Sequence, residues 1–144
     1  MVEQDTIRLL RECDLGIKMG VSSIADMLPY AKSEKMKSCL SSSKSEHERL
    51  ARECEALLED YGDEGKSPNP LITGMSAMKS AMRLGLHPTD HNVADIMLDG
   101  CAMGIKSLSE YLNKYTRAEE KAKDITKKLI SMEDALAKRM REFL

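Results

Sequence analysis

The chain has 144 residues, of which 42% are hydrophobic and 32% are charged, and its formal net charge is −2. A chain of this length normally folds as one domain, so we expect a single domain over residues 1–144. Its 22 basic and 24 acidic residues are mixed along the chain, which excludes the basic footprint of a nucleic-acid-binding protein. The polar first residues do not resemble a signal peptide, and no apolar run approaches the roughly 18–20 residues that cross a bilayer. We therefore expect a cytoplasmic protein that binds neither membranes nor nucleic acid.

The apolar residue types are typical of a helix bundle. The chain has 11 Met and a single Phe, and it has no Trp. Long flexible side chains fill the seams between helices, whereas β-sandwiches prefer β-branched and aromatic residues. The cysteines form no zinc-type cluster, and we expect them to be thiols, three of them in the core. They are Cys13, Cys39, Cys54 and Cys101.

Apolar residues in alternating steps of three and four predict the first two helices. The first seam starts near Ile7 and ends before Pro29, which cannot continue a helix, so we expect a helix over about 4–28. Ser33 is a suitable N-cap residue for the second seam, which predicts a helix over about 33–61. A polar stretch after that helix indicates a loop.

The second half of the chain contains a short predicted helix and two long ones. The short one covers about 70–84, and Thr89 is a suitable N-cap for a third long helix over about 90–115. A fourth is expected over about 117–143. Short links after the first and third long helices predict two antiparallel hairpins, and the stretch 62–89 is the long crossover that joins them.

The two predicted hairpins resemble each other in sequence. Cys13-Asp14-Leu15-Gly16-Ile17-Lys18 matches Cys101-Ala102-Met103-Gly104-Ile105-Lys106, so the first and third helices share a C-x-x-G-I-K hexamer. A looser match relates the segment that starts at His47 to the segment that starts at Glu133. Because both matches have nearly the same offset, we interpret the chain as a duplicated hairpin.

With these features the chain resembles the ferritin-like superfamily over nearly its whole length, most closely the small bacterial ferritin-like proteins of unassigned function. The resemblance implies an all-α, ferritin-like antiparallel four-helix bundle with a short extra helix in the crossover. Such relatives typically carry a Gly-Glu pair in the first and third helices. In the metal-binding members, a Glu from each of two helices and an E-x-x-H from each of the other two enclose two metals.

This sequence departs from that pattern at nearly every ligand position. The Gly-Glu positions read Gly16-Ile17 and Gly104-Ile105, and isoleucine cannot bind a metal. The second helix has Lys44 three residues before His47, the fourth has Ile130 three residues before Glu133, and no E-x-x-H occurs in the chain. The resemblance therefore implies a degenerate di-iron site and no catalytic residue.

Three ionisable residues nevertheless lie on the inward-facing seams, namely Asp14, His47 and Glu133. Closing the first hairpin about residue 31 brings Asp14 beside His47, and the duplication places Glu133 at the same level. Ionisable groups in a core must be paired or neutralised, so we expect all three within hydrogen-bonding reach. The favoured interpretation is a metal-free cluster that sets helix register. The alternative is a site for one iron or zinc ion held by the same three residues.

Two other sets of residues have a weaker metal interpretation. His91, Asp95 and Asp99 are successive i, i+4 neighbours near His87, but such a set is more often the solvated start of a helix. A stripe of methionines in the short predicted helix has the donor type for Cu(I), yet at this spacing packing is the favoured interpretation. Its members are Met75, Met78 and Met82.

Two function classes follow from the sequence. The favoured one is a non-catalytic protein that dimerises or binds a partner, and the alternative is a metal-binding relative of ferritin. A second apolar stripe on the first helix favours a homodimer, because the glycines beside it would let another helix approach closely. Symmetric dimers are also the commonest assembly. The stripe consists of Leu9, Cys13 and Met27 with the neighbouring Gly16 and Gly20.

Overall fold

The computed structural model describes residues 2–63, 65 and 88–144. These residues form four long helices and one 3-10 turn, with no strand among them. The helices are α1 Val2–Met27, α2 Glu34–Asp60, α3 Asp90–Lys114 and α4 Glu120–Arg141, and the turn is Leu28–Tyr30. The all-α class is therefore confirmed, and the long helices lie within a few residues of the predicted bounds. The predicted helix at 70–84 lies outside the described residues.

Side-chain caps and turn residues set the helix ends. The hydroxyl of Ser33 accepts a hydrogen bond from the Met36 backbone N–H at 3.1 Å. That of Thr89 accepts one from the Asn92 N–H at 3.2 Å, so both predicted N-caps are confirmed. Gly62, with φ 68°, ends α2 because a left-handed residue lets the next backbone N–H turn back onto the Leu58 carbonyl.

The helices of the first hairpin run in opposite directions. The thiol of Cys54, near the end of α2, donates to the carbonyl of Leu10, near the start of α1, at 3.3 Å. At the other end of the pair, Met27 and Met36 share one apolar cluster. The connection between the helices is short because Pro29 lies in the 3-10 turn that follows α1 directly.

The second hairpin packs against the first with α4 beside α1 and α2. Cys13 of α1 contacts Thr126 of α4, with Sγ and Oγ1 2.9 Å apart. The carboxylate of Asp90, at the start of α3, accepts from the backbone N–H groups of Lys32 and Ser33 at 2.7 and 3.0 Å. The start of α3 therefore lies beside the connection between α1 and α2, while the end of α2 lies at the opposite end of the bundle.

The buried apolar residues form two clusters, one toward each end of the bundle. The cluster near the α1–α2 connection includes Ile24, Met27, Met36, Leu40, Val93, Met97, Cys101, Leu136 and Met140. The cluster at the other end includes Leu9, Leu10, Cys13, Ile17, Leu50, Cys54, Leu58, Leu108, Ile125 and Leu129. On each helix, a turn or more of chain separates the last residue of one cluster from the first of the other. Polar groups occupy the level between the clusters.

Three cysteines are confirmed as core residues. The apolar side chains that suggested a dimer surface on the first helix are buried in the core as well. Cys13, Cys54 and Cys101 are buried thiols, and burial raises the pKa of Cys13 to about 11. The expected dimerisation stripe is wrong for its three side chains, because Leu9, Cys13 and Met27 are each at most 2% exposed and pack inside the bundle. Its two glycines, Gly16 and Gly20, are only partly buried. The 3.6-residue period indicates two apolar stripes on α1 but does not show that both face the chain's own helices.

None of the described helices combines the length and the hydrophobicity that a membrane-spanning segment needs.

Candidate functional site

A groove of about 270 Å³ lies between α1 and α3 and reaches into the polar level of the core. Four of its lining positions are glycines, two on each helix at i, i+4 spacing, and because they lack side chains they leave space between α1 and α3. They are Gly16, Gly20, Gly100 and Gly104. The groove floor includes His47 of α2 and Glu133 of α4, which come from the far side of the bundle.

His47 and Glu133 form a buried pair at this floor. His47 is 0% exposed, and its Nε2–H donates to Oε1 of Glu133 at 2.7 Å. On the other side of the ring, Nδ1–H donates to the backbone carbonyl of Ser43, one turn earlier, at 2.7 Å. Each ring nitrogen therefore faces an oxygen acceptor, which is the arrangement that a doubly protonated imidazolium satisfies.

The surroundings of His47 favour its charged form. Burial by itself lowers the pKa of His47, because it removes water from the charged ring. The hydrogen bonds to the Glu133 carboxylate and the Ser43 carbonyl act in the opposite direction and outweigh it, so the pKa lies above the ordinary value.

Cys101 adds a third polar group beside Glu133. It lines the groove on α3, and burial raises its thiol pKa, as do the neighbouring charge of Glu133 and a hydrogen bond to that carboxylate. The thiol therefore stays protonated and is a poor nucleophile or metal ligand.

The prediction that Asp14 joins His47 and Glu133 is wrong. Asp14 is buried, and its Oδ2 accepts from the Lys18 ammonium at 2.7 Å, while its Oδ1 has no hydrogen-bond partner among the described residues. Gly65, with φ 83°, packs against this carboxylate so closely that a Cβ there would collide with it. Asp14 belongs to the end of the bundle that holds the α2 terminus.

The register of the first hairpin explains this error. The residue of α1 that lies beside His47 is Gly20, since a Cβ at Gly20 would be 3.2 Å from Nε2 of His47. The hairpin therefore closes nearer residue 33 than residue 31, because the 3-10 turn and the extended residues before Ser33 lengthen the connection. Asp14, six residues before Gly20, lies about 9 Å farther along the α1 axis.

The donor set does not fit the iron or zinc site of the alternative interpretation. Of the three predicted ligands, only His47 and Glu133 are adjacent, and their donor atoms are 2.7 Å apart, whereas two ligands of a tetrahedral ion lie roughly 3.3 Å apart. Ile17 is fully buried, and Lys44 pairs with Glu48 at 3.4 Å. Within the described ranges, no three His, Cys, Asp or Glu side chains are grouped so as to hold a metal ion.

The other candidate sets give no site in the described chain. His91, Asp95 and Asp99 lie on α3, but they belong to no group of metal-ligating side chains there. His87 and the stripe of Met75, Met78 and Met82 lie outside the described residues.

None of the sequence patterns described above predicts the groove, although the sequence contains a signal for it. The repeated C-x-x-G-I-K hexamer contains Gly16 and Gly104, and each has a second glycine four residues away on the same face. Two such pairs on helices of a duplicated hairpin indicate a shared glycine-lined face. Met19 and Met103, which are 41% and 72% exposed, also line this groove.

Comparisons of the chain with models of known protein families, with curated proteins and with solved structures find no match.

The buried pair yields a prediction for single and double substitutions. His47→Leu or Glu133→Leu alone leaves one uncompensated ionisable group in the core, and we expect each to lower the free energy of unfolding by roughly 3–5 kcal/mol. The double variant buries no charge and should lie close to the wild type. Urea unfolding of the four proteins measures this, and additive losses in the double variant would contradict the pairing.

The raised pKa of His47 predicts a pH dependence of stability. Because the folded-state pKa lies above 6.5, the contribution of the pair is complete below about pH 6.5 and decreases as the pH rises through the folded-state pKa. The free energy of unfolding of the wild type should therefore decrease from pH 6.5 to pH 9 relative to that of the His47→Leu/Glu133→Leu variant, which lacks the titrating group. A constant difference over this range would show that His47 is neutral in the folded protein.

The glycines of the groove predict opposite effects for two matched substitutions. Gly in the interior of a helix costs roughly 0.5–1 kcal/mol relative to Ala, and a Cβ at Gly100 would meet nothing within 4 Å. We therefore expect Gly100→Ala to stabilise the protein by about that amount. At Gly20 the Cβ would lie 3.0 Å from Cδ2 of His47, so Gly20→Ala must displace the ring and should be destabilising. Thermal or urea unfolding tests both, and an equal gain at both positions would contradict the close contact with His47.

Proposed function

We propose that this protein is a non-catalytic, ferritin-like helical bundle that works as a binding protein, with the α1–α3 groove as its binding site. In this proposal the degenerate metal position is taken by the ion pair of His47 and Glu133. The pair carries the proposal, because Nε2–H of His47 donates to Oε1 of Glu133 at 2.7 Å and the hydrogen bond occupies both atoms.

The directions of the helices support the ferritin-like part of the proposal. Contacts between Leu10 and Cys54 and between Cys13 and Thr126 make α2 antiparallel and α4 parallel to α1. The contacts of Asp90 put the start of α3 at the end of the bundle opposite to the end of α2. Two hairpins joined by one long crossover is the connectivity that ferritin-like folds have, in contrast to bundles with three short loops.

The chemistry of the pocket supports binding rather than catalysis. The thiol of Cys101 has a raised pKa, the carboxylate of Glu133 is engaged by His47, and Ile17 and Ile105 occupy the positions where the resemblance implies carboxylates. No group at the floor is therefore an activated nucleophile. The hydrogen bond between His47 and Glu133 occupies the atoms that would otherwise act as a general base.

The distribution of exposed apolar side chains supports the groove as the binding surface. Among the described residues, the large hydrophobic side chains that are exposed are Val2, Met19, Met103 and Leu144. Val2 and Leu144 lie at the two ends of the described chain, and Met19 and Met103 both line the groove. An apolar rim around a concave site is typical of ligand-binding surfaces, and flexible Met side chains adapt to bound molecules.

The homodimer expected from the sequence stays a prediction, which light scattering at micromolar concentration measures. The side chains of the α1 stripe that suggested it are buried, so a dimer would have to use other side chains. The face that carries Met19 and Met103 is the described surface with the most suitable composition.

Metal analysis tests the proposed absence of a metal centre. Protein purified without chelator and without an affinity-tag metal should contain less than stoichiometric iron, zinc or manganese after dialysis. His47→Ala serves as the matched variant, because it removes the best metal donor of the pair. Stoichiometric metal that survives dialysis and disappears in His47→Ala would overturn the proposed function and favour the metal-binding alternative.

A further inference from the structure

One stripe of side chains on α1 runs along the edge of the groove and continues beyond both of its ends. Leu15 and Met19 belong to this stripe and line the groove, and Arg8 and Asp26 are exposed at its two ends. Arg8 and Asp26 are 18 residues apart, which is about five turns of an α-helix, so they lie on the same face of α1. The stripe therefore has a positive group at one end, apolar side chains in the middle and a negative group at the other end.

The two charges at the ends of the stripe are available to a partner. Among the described residues, neither Arg8 nor Asp26 takes part in an ion pair or a hydrogen bond. Other charged groups of α1 are engaged within the chain: Lys18 pairs with Asp14 at 2.7 Å, and Glu12, which also lines the groove, has an interaction there as well. A molecule that docks along the stripe therefore meets one cation and one anion.

The order of these charges is complementary to itself. Each charge lies about 13.5 Å from the middle of the stripe, which is at residue 17. If a second α1 runs antiparallel against the first with the same centre, Arg8 faces Asp26 of the partner subunit and Leu15 faces Met19 of the partner subunit. A two-fold axis at right angles to α1 generates this contact, and each of its pairs then occurs twice.

The same axis also determines how the α3 helices meet. Gly20 of α1 and Gly104 of α3 lie at one level of the bundle, because a Cβ at either position would be within 4 Å of the Glu133 carboxylate. Since α3 is antiparallel to α1, the level of residue 17 on α1 is that of Ser107 on α3. The axis therefore passes beside Ser107, which is exposed and lines the groove.

This arrangement covers the apolar rim of the groove. With the axis at this level, Met103, which is 72% exposed, lies against Tyr111 of the partner subunit. The other two-fold arrangement of the same face, with the axis parallel to the helices, would place α1 against α3 of the partner subunit. It would bring Asp26 beside Asp99 of the partner subunit, and like charges in an interface are unfavourable. Charge therefore selects the arrangement in which α1 faces α1.

The size of the face is sufficient for a stable contact. The α1 helix has 26 residues and is about 39 Å long, and two adjacent helices present a face roughly 20 Å wide. The resulting area is about 800 Å² for each subunit, which is the area that a standard protein–protein interface buries on each partner.

We propose that the partner of the α1–α3 groove is a second copy of this chain, bound through a two-fold contact in which Arg8 pairs with Asp26 of the partner subunit. This inference rests on the proposed function, since it names the partner of the same groove. The two grooves face each other across the axis, and the exposed side chains of Met19 and Met103 are covered.

Charge reversal tests the pairing in the full-length chain by sedimentation equilibrium. The wild type should be a dimer at micromolar concentration, and added salt should weaken it because exposed ion pairs are screened. Arg8→Glu and Asp26→Arg each place like charges together at both symmetric contacts, so each should raise the Kd of the dimer at least about tenfold. The double variant Arg8→Glu/Asp26→Arg exchanges the two charges and should restore a Kd close to that of the wild type.

The restoration is specific because the two residues cannot pair within one chain, where they are about 27 Å apart along α1. Arg52→Glu is the matched control, since Arg52 is exposed on α2 outside the groove. It makes the same change in net charge as Arg8→Glu and should leave the Kd unchanged.

Cross-linking tests the position of the axis. Ser107→Cys should join two chains when a short bismaleimide is added, because the axis brings the two copies of residue 107 together. The same substitution at Ser42, which is exposed on α2, should give no cross-linked dimer. Both variants are made with Cys39→Ser, since the other three native thiols are buried.

The outcomes separate the failure of this contact from the failure of the proposed function. A monomer at high micromolar concentration would overturn the contact, as would a dimer whose Kd neither single reversal raises or whose Kd the double variant does not restore. Cross-linking at Ser42 and not at Ser107 would also overturn it. The metal-free bundle of the proposed function is judged independently by metal content, and stoichiometric metal in a dimer that passes the charge-reversal test would overturn that function alone.

Discussion

The buried pair of His47 and Glu133 is the contact on which the middle of this bundle depends. It joins α2 to α4 at the level between two apolar clusters, where aliphatic side chains do not fill the core. Burying two ionisable groups is unfavourable unless each has a partner, so the register of α2 against α4 is tied to this one hydrogen bond. A slip of one residue in either helix would separate the two groups and leave both charges without compensation.

The same pair explains why α1 carries a glycine at position 20. The ring of His47 lies so close to α1 that a Cβ at Gly20 would be only 3.0 Å from Cδ2 of the ring. On α3, Gly104 faces the other oxygen of Glu133. The absence of a side chain at Gly20 gives the His47 ring room beside α1, and Gly20 and Gly104 both line the groove.

On the proposed ferritin-like assignment, the chain has the helix connectivity of that superfamily but different residues at the metal-ligand positions. The positions where the resemblance implies carboxylates hold Ile17 and Ile105, and the one His of the pattern donates to Glu133. The groove lies beside Gly16 and Gly104 of the repeated hexamer, and it is there that we propose a partner binds.

The sequence by itself determined the four helices, their caps at Ser33 and Thr89, and the pairing of His47 with Glu133, because hydrophobic period, capping and duplication are local or repeated patterns. It did not determine the place of Asp14, since the length that a 3-10 turn adds to a hairpin shifts every residue of α2 relative to α1. It also did not show which apolar stripe of α1 is covered, since Leu9, Cys13 and Met27 look alike whether they face the same chain or a second one. Only the tertiary structure decides such questions, because register and coverage depend on how distant helices pack.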